Sequence, residues 1–312
     1  MTHASRAIIA VHGGAGQVAI DRHDRLRRGV RAAADVGHAV LEGGGSALDA
    51  VVAAVRVLED DPEFNAGIGS ALTREGSVET EALVMDGASQ RVGAVTAVPD
   101  LGMPIALARA VLDAGEHAIL AGLGALRFAA EVGIAPAAPG SLITERAVTR
   151  LSEELPKHGA RDNGLAGAVS RDGKSAPGGT VGAVARDQGG RFAAATSTGG
   201  LVGKRSGRVG DSPIPGAGTW ADAGCAISAT GDGEAILRVA LARDLAARHA
   251  AGLNLRSAAV AALEDLRRIT GGSAGLIAVD RSSWIAIQLS ATMPVAWVDA
   301  TGAGDHLGQQ HA

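Results

Sequence analysis

The stretch from Ser175 to Asp187, SAPGGTVGAVARD, limits the fold more than any other part of this chain. It opens with small, turn-prone residues and changes at Gly179 into a strand. From Thr180 to Val184, β-branched residues are interspersed with glycine and alanine. Such a strand suits a place where a second layer approaches its backbone closely. The rest of the chain supports this kind of packing. It has no tyrosine, 2% aromatic residues and 45 glycines, so the core has to come from Ala, Val, Leu and Ile, with backbones brought near one another.

Around that strand the elements follow from local pattern. Residues 7–11, AIIAV, form a short buried strand ending at the turn HGGAG. SALDAVVAAVRVLED predicts a helix with Ser46 as its N-cap. PIALARAVLDAG predicts another, with Pro104 in the first turn and glycine near its end. LITERAVTRLSEEL is a third helix within a stretch, about 135–179, that otherwise has the composition of a mobile linker. After it, TVGAVARD and RFAAATSTGG pair as a hairpin, as do AGLIAVD and WIAIQLS. CAISATGDGE runs from a strand into a helix, GEAILRVALARDLAARHA, and LRSAAVAALEDLRRI is a further helix. Each half alone would expose an apolar sheet face, so residues 1–312 read as one interlocked α+β domain.

Several function classes drop out. A net charge of −4 and the lack of a long Lys/Arg run leave no nucleic-acid face, and the scarcity of aromatics removes a base-stacking platform. No apolar run is long enough to span a membrane, and the N-terminal residues lack the apolar core of a signal peptide, so the expectation is a cytoplasmic protein. Cys225, the single cysteine, sits in a strand pattern and reads as a buried structural thiol. The nine histidines are scattered, and His12 has no partner at ligand spacing, so no transition-metal site is expected. GGGS at 43–46 lacks the Lys-Ser/Thr ending of a phosphate loop and reads as a helix-start turn.

Chemistry gathers after residue 179. Thr180 is either an ordinary strand residue or the product of chain cleavage. An internal threonine is a poor nucleophile. As an N-terminal residue it carries its own base, an α-amino group titrating at about 7.7–8.0. Gly-Gly-Thr is a common tripeptide and alone favours the ordinary strand residue. TSTGG (196–200) adds hydroxyls at the end of the partner strand, and TGDGE (230–234) adds a hydroxyl and backbone amides at a strand-to-helix junction, where anions are attracted. In GRVGDSPIPGAG (207–218), Arg208 could fork onto a carboxylate and Asp211 pair with an ammonium, which suits an α-amino-acid head group; taken in isolation, the spacing favours a simple pair between the two on a loop.

Taken in order, HGGAG (12–16), SALDAVVAAVRVLEDDPEFNAGIGSALT (46–73), VMDG (84–87), GTVGAVARD (179–187), TSTGG, GRVGDSPIPGAG and TGDGE resemble the plant-type L-asparaginase/isoaspartyl peptidase family of N-terminal nucleophile hydrolases over nearly the whole chain. The resemblance implies a four-layer αββα sandwich. It implies self-cleavage between Gly179 and Thr180 into an α subunit (1–179) and a β subunit (180–312), assembled as a dimer of αβ heterodimers. It implies hydrolysis of the side-chain amide of L-asparagine and β-aspartyl dipeptides through an ester on Thr180. Thr198 would support the nucleophile, Thr230 and Gly231 would form the oxyanion hole, and Arg208, Asp211 and Gly233 would bind the substrate. Asn65 would lie close to the cleavage site. No cofactor is implied for catalysis. Spacing alone reads 58–69 as a helix end and turn, whereas the resemblance implies a structural sodium ion held there by the carbonyls of Leu58, Glu59, Asp61, Phe64, Ala66 and Ile68.

Two features depart from the family pattern. Glu81 stands where the family has aspartate, and the C-terminal segment lacks the Phe-Asn-Thr and Met-Tyr-Arg signatures. Both bear on substrate preference and cleavage rate. Two other functions share the same residues: a glycosylasparaginase, against which Glu234 and the FNAGIG loop count, and an uncleaved, non-catalytic binding homologue.

Overall fold

The structure is a computed structural model that describes residues 7–159, 179–289 and 292–307. The N-terminal part contains β1 (Ile8–His12), α1 (His23–Glu42), α2 (Ala47–Glu59), β2 (Glu79–Asp86), β3 (Val92–Pro99), α3 (Pro104–Ala114), β4 (Ile119–Ala121), α4 (Gly122–Glu131) and α5 (Glu145–Gly159). The C-terminal part contains β5 (Val181–Arg186), β6 (Phe192–Thr198), β7 (Thr219–Ala221), β8 (Cys225–Gly231), α6 (Gly233–Val239), α7 (Leu241–Ala250), α8 (Leu255–Thr270), β9 (Ala274–Asp280), β10 (Trp284–Gln288), β11 (Val295–Asp299) and β12 (Gly302–His306). The later part of the 135–179 linker, residues 160–178, lies outside the described residues; its earlier part carries α5, docked through Ala147 and Leu151 on Leu72, Val78 and Leu142.

The fold is α+β with two sheets. The larger has eight strands in the order β12-β11-β1-β5-β6-β2-β3-β4, antiparallel except for the β3–β4 pair. The smaller has four, β10-β9-β8-β7, all antiparallel. Strands from both sides of Thr180 alternate within the larger sheet: β1 lies between β11 and β5, and β6 lies beside β2.

Period-two alternation sorts the side chains. Ile9 and Val11 of β1 join Val181 and Ala183 of β5 in an apolar cluster with α1, α2 and α3. Their neighbours Ile8, Ala10 and Val184 face the other way and meet Ala226, Ile277 and Val279 of the smaller sheet. That sheet's opposite face, with Leu276 and Ala278, packs on α6, α7 and α8. The glycine in TVGAV has a clear cause. A Cβ built on Gly182 would stand 2.0 Å from Ser228 Oγ and 2.6 Å from His12 Nε2, so the two sheets touch at a point where only hydrogen fits.

Local signals hold at α2, where Ser46 Oγ accepts from Asp49 N at 3.1 Å, and at α3, which starts on Pro104 and ends on left-handed Gly115 (φ 73°). The single helix expected from Gly233 to Ala250 is instead two. Ala240 takes φ 49°, ψ 53° and divides α6 from α7. The new helix start gives the Ala242 and Arg243 N–H groups the carbonyls of Ala217 and Gly216, at 3.0 and 2.8 Å. Tertiary hydrogen bonds thereby offset a backbone conformation that alanine disfavours by roughly 1–2 kcal/mol. No helix among the described residues is long and apolar enough to cross a membrane.

Candidate active site

Thr180 is the residue just before β5, and it is buried. Its Oγ1 lies 3.3 Å from Ser212 Oγ. On its N-terminal side Gly179 packs on Gly14, in the turn after β1. A Cβ built on Gly14 would stand 2.3 Å from Gly179 Cα, and Gly14 itself has φ 99°. The peptide group preceding Thr180 therefore rests on bare backbone, which a side chain at either position would displace.

The hairpin register Val181↔Ser197 carries Thr198 opposite Thr180. Thr198 Oγ1 accepts from Gly200 N at 2.9 Å. Asn65 pins the same turn: its Nδ2 donates to Gly200 O at 2.8 Å, its Oδ1 accepts from Ala71 N at 2.6 Å, and its carbonyl accepts from Gly199 N at 2.9 Å. Asn65 and Gly179 line one cleft.

Beyond Ser212 lies a cluster of charged side chains. Arg208 forks onto Glu234, Nε to Oε1 at 2.9 Å and Nη2 to Oε2 at 2.8 Å. Burial works against its charge, but Glu234, Glu81 and Asp211 together raise its pKa above the ordinary arginine value. Asp211 is also buried, and its Oδ2 has no hydrogen-bond partner among the described residues. Burial, reinforced by Glu81 and Glu234, raises its pKa to about 7 against the opposing pull of Arg208. Gly233 separates the pair. A Cβ there would stand 2.8 Å from both Arg208 Nη2 and Asp211 Oδ1. Arg208 and Asp211 do not pair off with each other through hydrogen bonds. The cation has a separate partner, Glu234, while the anion keeps an unmet oxygen.

Thr230 is buried near the end of β8, and its Oγ1 accepts from Ala15 N at 3.0 Å, which leaves the hydroxyl proton to donate. Gly231, at φ 139°, ends the strand. The helix start that follows is short: α6 spans seven residues, and Asp232 turns its carboxylate to Ser273 N at 2.8 Å instead of capping it.

Further residues surround the site, of which Ser212, Thr219 and Ser228 were not singled out in the sequence. Ser212 touches the nucleophile candidate. Behind it a chain of buried hydroxyls links the layers: Thr219 Oγ1 lies 3.1 Å from Ser212 O and 2.6 Å from Thr196 Oγ1, Thr196 lies 2.8 Å from Ser228 Oγ, and Ser228 lies 2.9 Å from His12 Nε2. Burial lowers the His12 pKa to about 3, so the ring is neutral at working pH and serves this network. Glu81 is aimed by an irregularity: the β2–β3 register shifts between Thr80 and Ala82. Its buried carboxylate accepts from Gly210 N at 3.1 Å and from Thr96 Oγ1 at 3.1 Å, which ties the Arg208–Asp211 loop to the large sheet. Its pKa is raised by burial, with Lys204 and Arg208 opposing.

In the 58–69 loop, Leu58 and Glu59 end α2, Ile68 N donates to Glu59 O at 2.8 Å, and Phe64 N donates to Asp61 O at 3.1 Å. Carbonyls have two lone pairs, so these oxygens keep capacity for a cation. A Cβ at Gly69 would stand 2.5 Å from Pro62 O and 2.9 Å from Phe64 O, so backbone oxygens converge there. An all-oxygen donor set fits a hard cation. The Glu59 side chain points elsewhere, to Ser197 Oγ at 2.7 Å and Ile105 N at 2.9 Å, and burial raises its pKa to about 7.

Comparison with known proteins places the chain beside relatives that match nearly all of it. The sequence profile described as Asparaginase matches residues 5–307. An isoaspartyl peptidase/L-asparaginase of Homo sapiens is 45% identical over 305 residues, covering 96% of this chain and 95% of the relative. The Macaca fascicularis protein of the same name has the same identity and coverage. An isoaspartyl peptidase of Salmonella typhimurium is 42% identical over 303 residues, covering 94% of this chain and 95% of the relative.

Proposed function

The chain belongs to the asparaginase family, and from that premise we propose how it works. It is an amidohydrolase that cleaves the side-chain amide of L-asparagine and of β-aspartyl (isoaspartyl) dipeptides. Thr180 is the nucleophile, freed by self-cleavage after Gly179 into subunits 1–179 and 180–312. The observation that carries this reading is the Arg208/Asp211 pair set across Gly233, one residue from the Ser212 hydroxyl that meets Thr180 Oγ1.

Arg208 binds the substrate α-carboxylate; Nη1 takes no part in its fork to Glu234. The unmet oxygen of Asp211 takes the α-ammonium. So anchored, the scissile amide lies over Thr180. The free amine of Thr180 accepts the hydroxyl proton, and Oγ1 attacks the side-chain carbonyl. The Thr230 hydroxyl and Gly231 steady the developing oxyanion, and Thr198 steadies Thr180. Water then opens the ester and releases aspartate.

The reading extends to the αββα sandwich of N-terminal nucleophile hydrolases, supported by apolar clusters on both faces of both sheets. It extends to a dimer of αβ heterodimers in the cytoplasm. The carbonyls of Leu58, Glu59, Asp61, Phe64, Ala66 and Ile68 would hold a sodium ion that braces the loop carrying Asn65.

Denaturing electrophoresis and intact mass measurement test the core of this proposal. Wild type gives fragments 1–179 and 180–312, and Thr180→Ala remains one inactive chain. Full activity in purified Thr180→Ala protein would refute it.

A further inference from the structure

The cleft that Gly179 lines is strongly cationic. Arg22, Arg146 and Arg150 line it against a single carboxylate, Glu63, and neither Arg208 nor Asp211 belongs to it. Glu63 is already paired with Arg22 at 2.7 Å. Arg146 donates to the Pro62 carbonyl. Arg150 is left over: its Nε and Nη2 are buried and have no hydrogen-bond partner among the described residues. Burial, with Arg146 and Arg22 nearby, lowers its pKa to about 10, so it remains charged at neutral pH. A buried guanidinium with unmet N–H groups is costly and calls for an anion. Both arginines of α5 lie one turn apart on a helix that Ala147 and Leu151 hold against the body of the protein.

We propose that this cleft is a carboxylate-binding site and that its occupant is the α-carboxylate of Gly179 released by self-cleavage. The inference rests on the cleavage reading above. In that step Thr180 Oγ1 bonds to the Gly179 carbonyl carbon, the C–N bond breaks, and the hydroxyl proton passes to the departing amine. Water then opens the ester, adding its hydroxyl to the Gly179 carbonyl carbon and returning a proton to Oγ1. A neutral carbonyl on a residue that lines a cationic cleft becomes an anion, and guanidinium forks suit carboxylates. Capture in the cleft draws residue 179 off the nucleophile and clears the place that the substrate amide needs. A second source of the same group is the α-carboxylate of an amino acid leaving a β-aspartyl dipeptide.

The test is carboxypeptidase digestion of the processed protein, followed by the mass of the 1–179 fragment. Wild type should lose its terminal residues about tenfold more slowly than Arg150→Gln, the effect of one charge-assisted hydrogen bond. Arg150→Lys, which keeps the charge, should fall between them, and Arg146→Gln should also speed trimming. Equal trimming in wild type and the variants overturns the proposal. Unchanged trimming with a loss of kcat/KM on β-aspartyl-leucine but not on L-asparagine gives the cleft to the leaving amino acid, and also overturns it. A wild type that never yields the two fragments refutes the cleavage reading itself, a result distinct from both.

Discussion

Gly233→Ala adds one methyl group to the wall between Arg208 and Asp211. The new Cβ would stand 2.8 Å from Arg208 Nη2 and 2.8 Å from Asp211 Oδ1, so each contact is roughly 0.7 Å inside an ordinary separation of about 3.5 Å. Arg208 is held by its fork to Glu234, and Asp211 is buried on a loop tied down through Gly210, so neither yields easily. The methyl also occupies the space between the two groups that grip the substrate. Losing or bending one charge-assisted hydrogen bond costs roughly 1.5–3 kcal/mol, which corresponds to about 10- to 100-fold in kcat/KM. Stability should respond differently. Gly233 is the first residue of α6, and alanine is favoured over glycine in a helix interior by up to about 1 kcal/mol, which offsets part of the strain. Self-cleavage should persist, because neither of the two closest contacts of the new methyl involves Thr180. Electrophoresis reads the cleavage, a melting curve reads stability, and release of aspartate from a β-aspartyl dipeptide reads catalysis. Wild-type kcat/KM in a fully processed Gly233→Ala protein would sink the assignment of the head-group pocket.

Asp211 must be ionised to hold an ammonium, and its pKa is raised to about 7, so kcat/KM should climb as pH rises through 7, with that limb flattened in Asp211→Asn. The same shift acts on folding with the opposite sense: the ligand-free protein keeps this contribution below the unfolded carboxylate pKa of about 3.9 and loses it as pH rises through 7, a trend that melting curves of Asp211→Asn should lack. Gly182→Ala should destabilise by about 1–3 kcal/mol through overpacking against Ser228 and His12, read as a lower denaturant midpoint; an unchanged midpoint contradicts the tight sheet contact. Aspartate release should be fastest from β-aspartyl dipeptides and slower from L-asparagine; a wide preference for sugar-bearing asparagine, or cleavage of α-linked peptides, contradicts the pocket reading.

What could be read beforehand was local. Ser46, Pro104 and Gly115 announce helix ends because caps and turns act within a few residues. Thr180, Arg208 and Asp211 stood out through the ordered set of motifs that carries the family resemblance, since each taken alone reads as an ordinary strand or loop residue. The break at Ala240 was invisible, since alanine is a good helix former and the cause is a pair of carbonyls, those of Gly216 and Ala217, far earlier in the chain. Ser212, Thr219 and Ser228 look like ordinary strand and loop hydroxyls. They become a network only when two sheets bring His12 to Ser228, 216 positions further along. Glu234 as the partner of Arg208, and Glu81 as the anchor of Gly210, depend in the same way on distant backbone, the second on a register shift that no residue type signals.

Chain ends are ordinarily the most mobile part of a protein, fraying for several residues before structure begins. The interleaved strand order denies that freedom to an end created at Thr180. The strand that begins one residue later is hydrogen-bonded along both edges, to β1 on one side and β6 on the other, in the middle of an eight-stranded sheet. A terminal amine made there would be held as firmly as an interior residue. The two fragments could not drift apart without unzipping β5 from β1 and β6 from β2, so a broken backbone would leave one inseparable body.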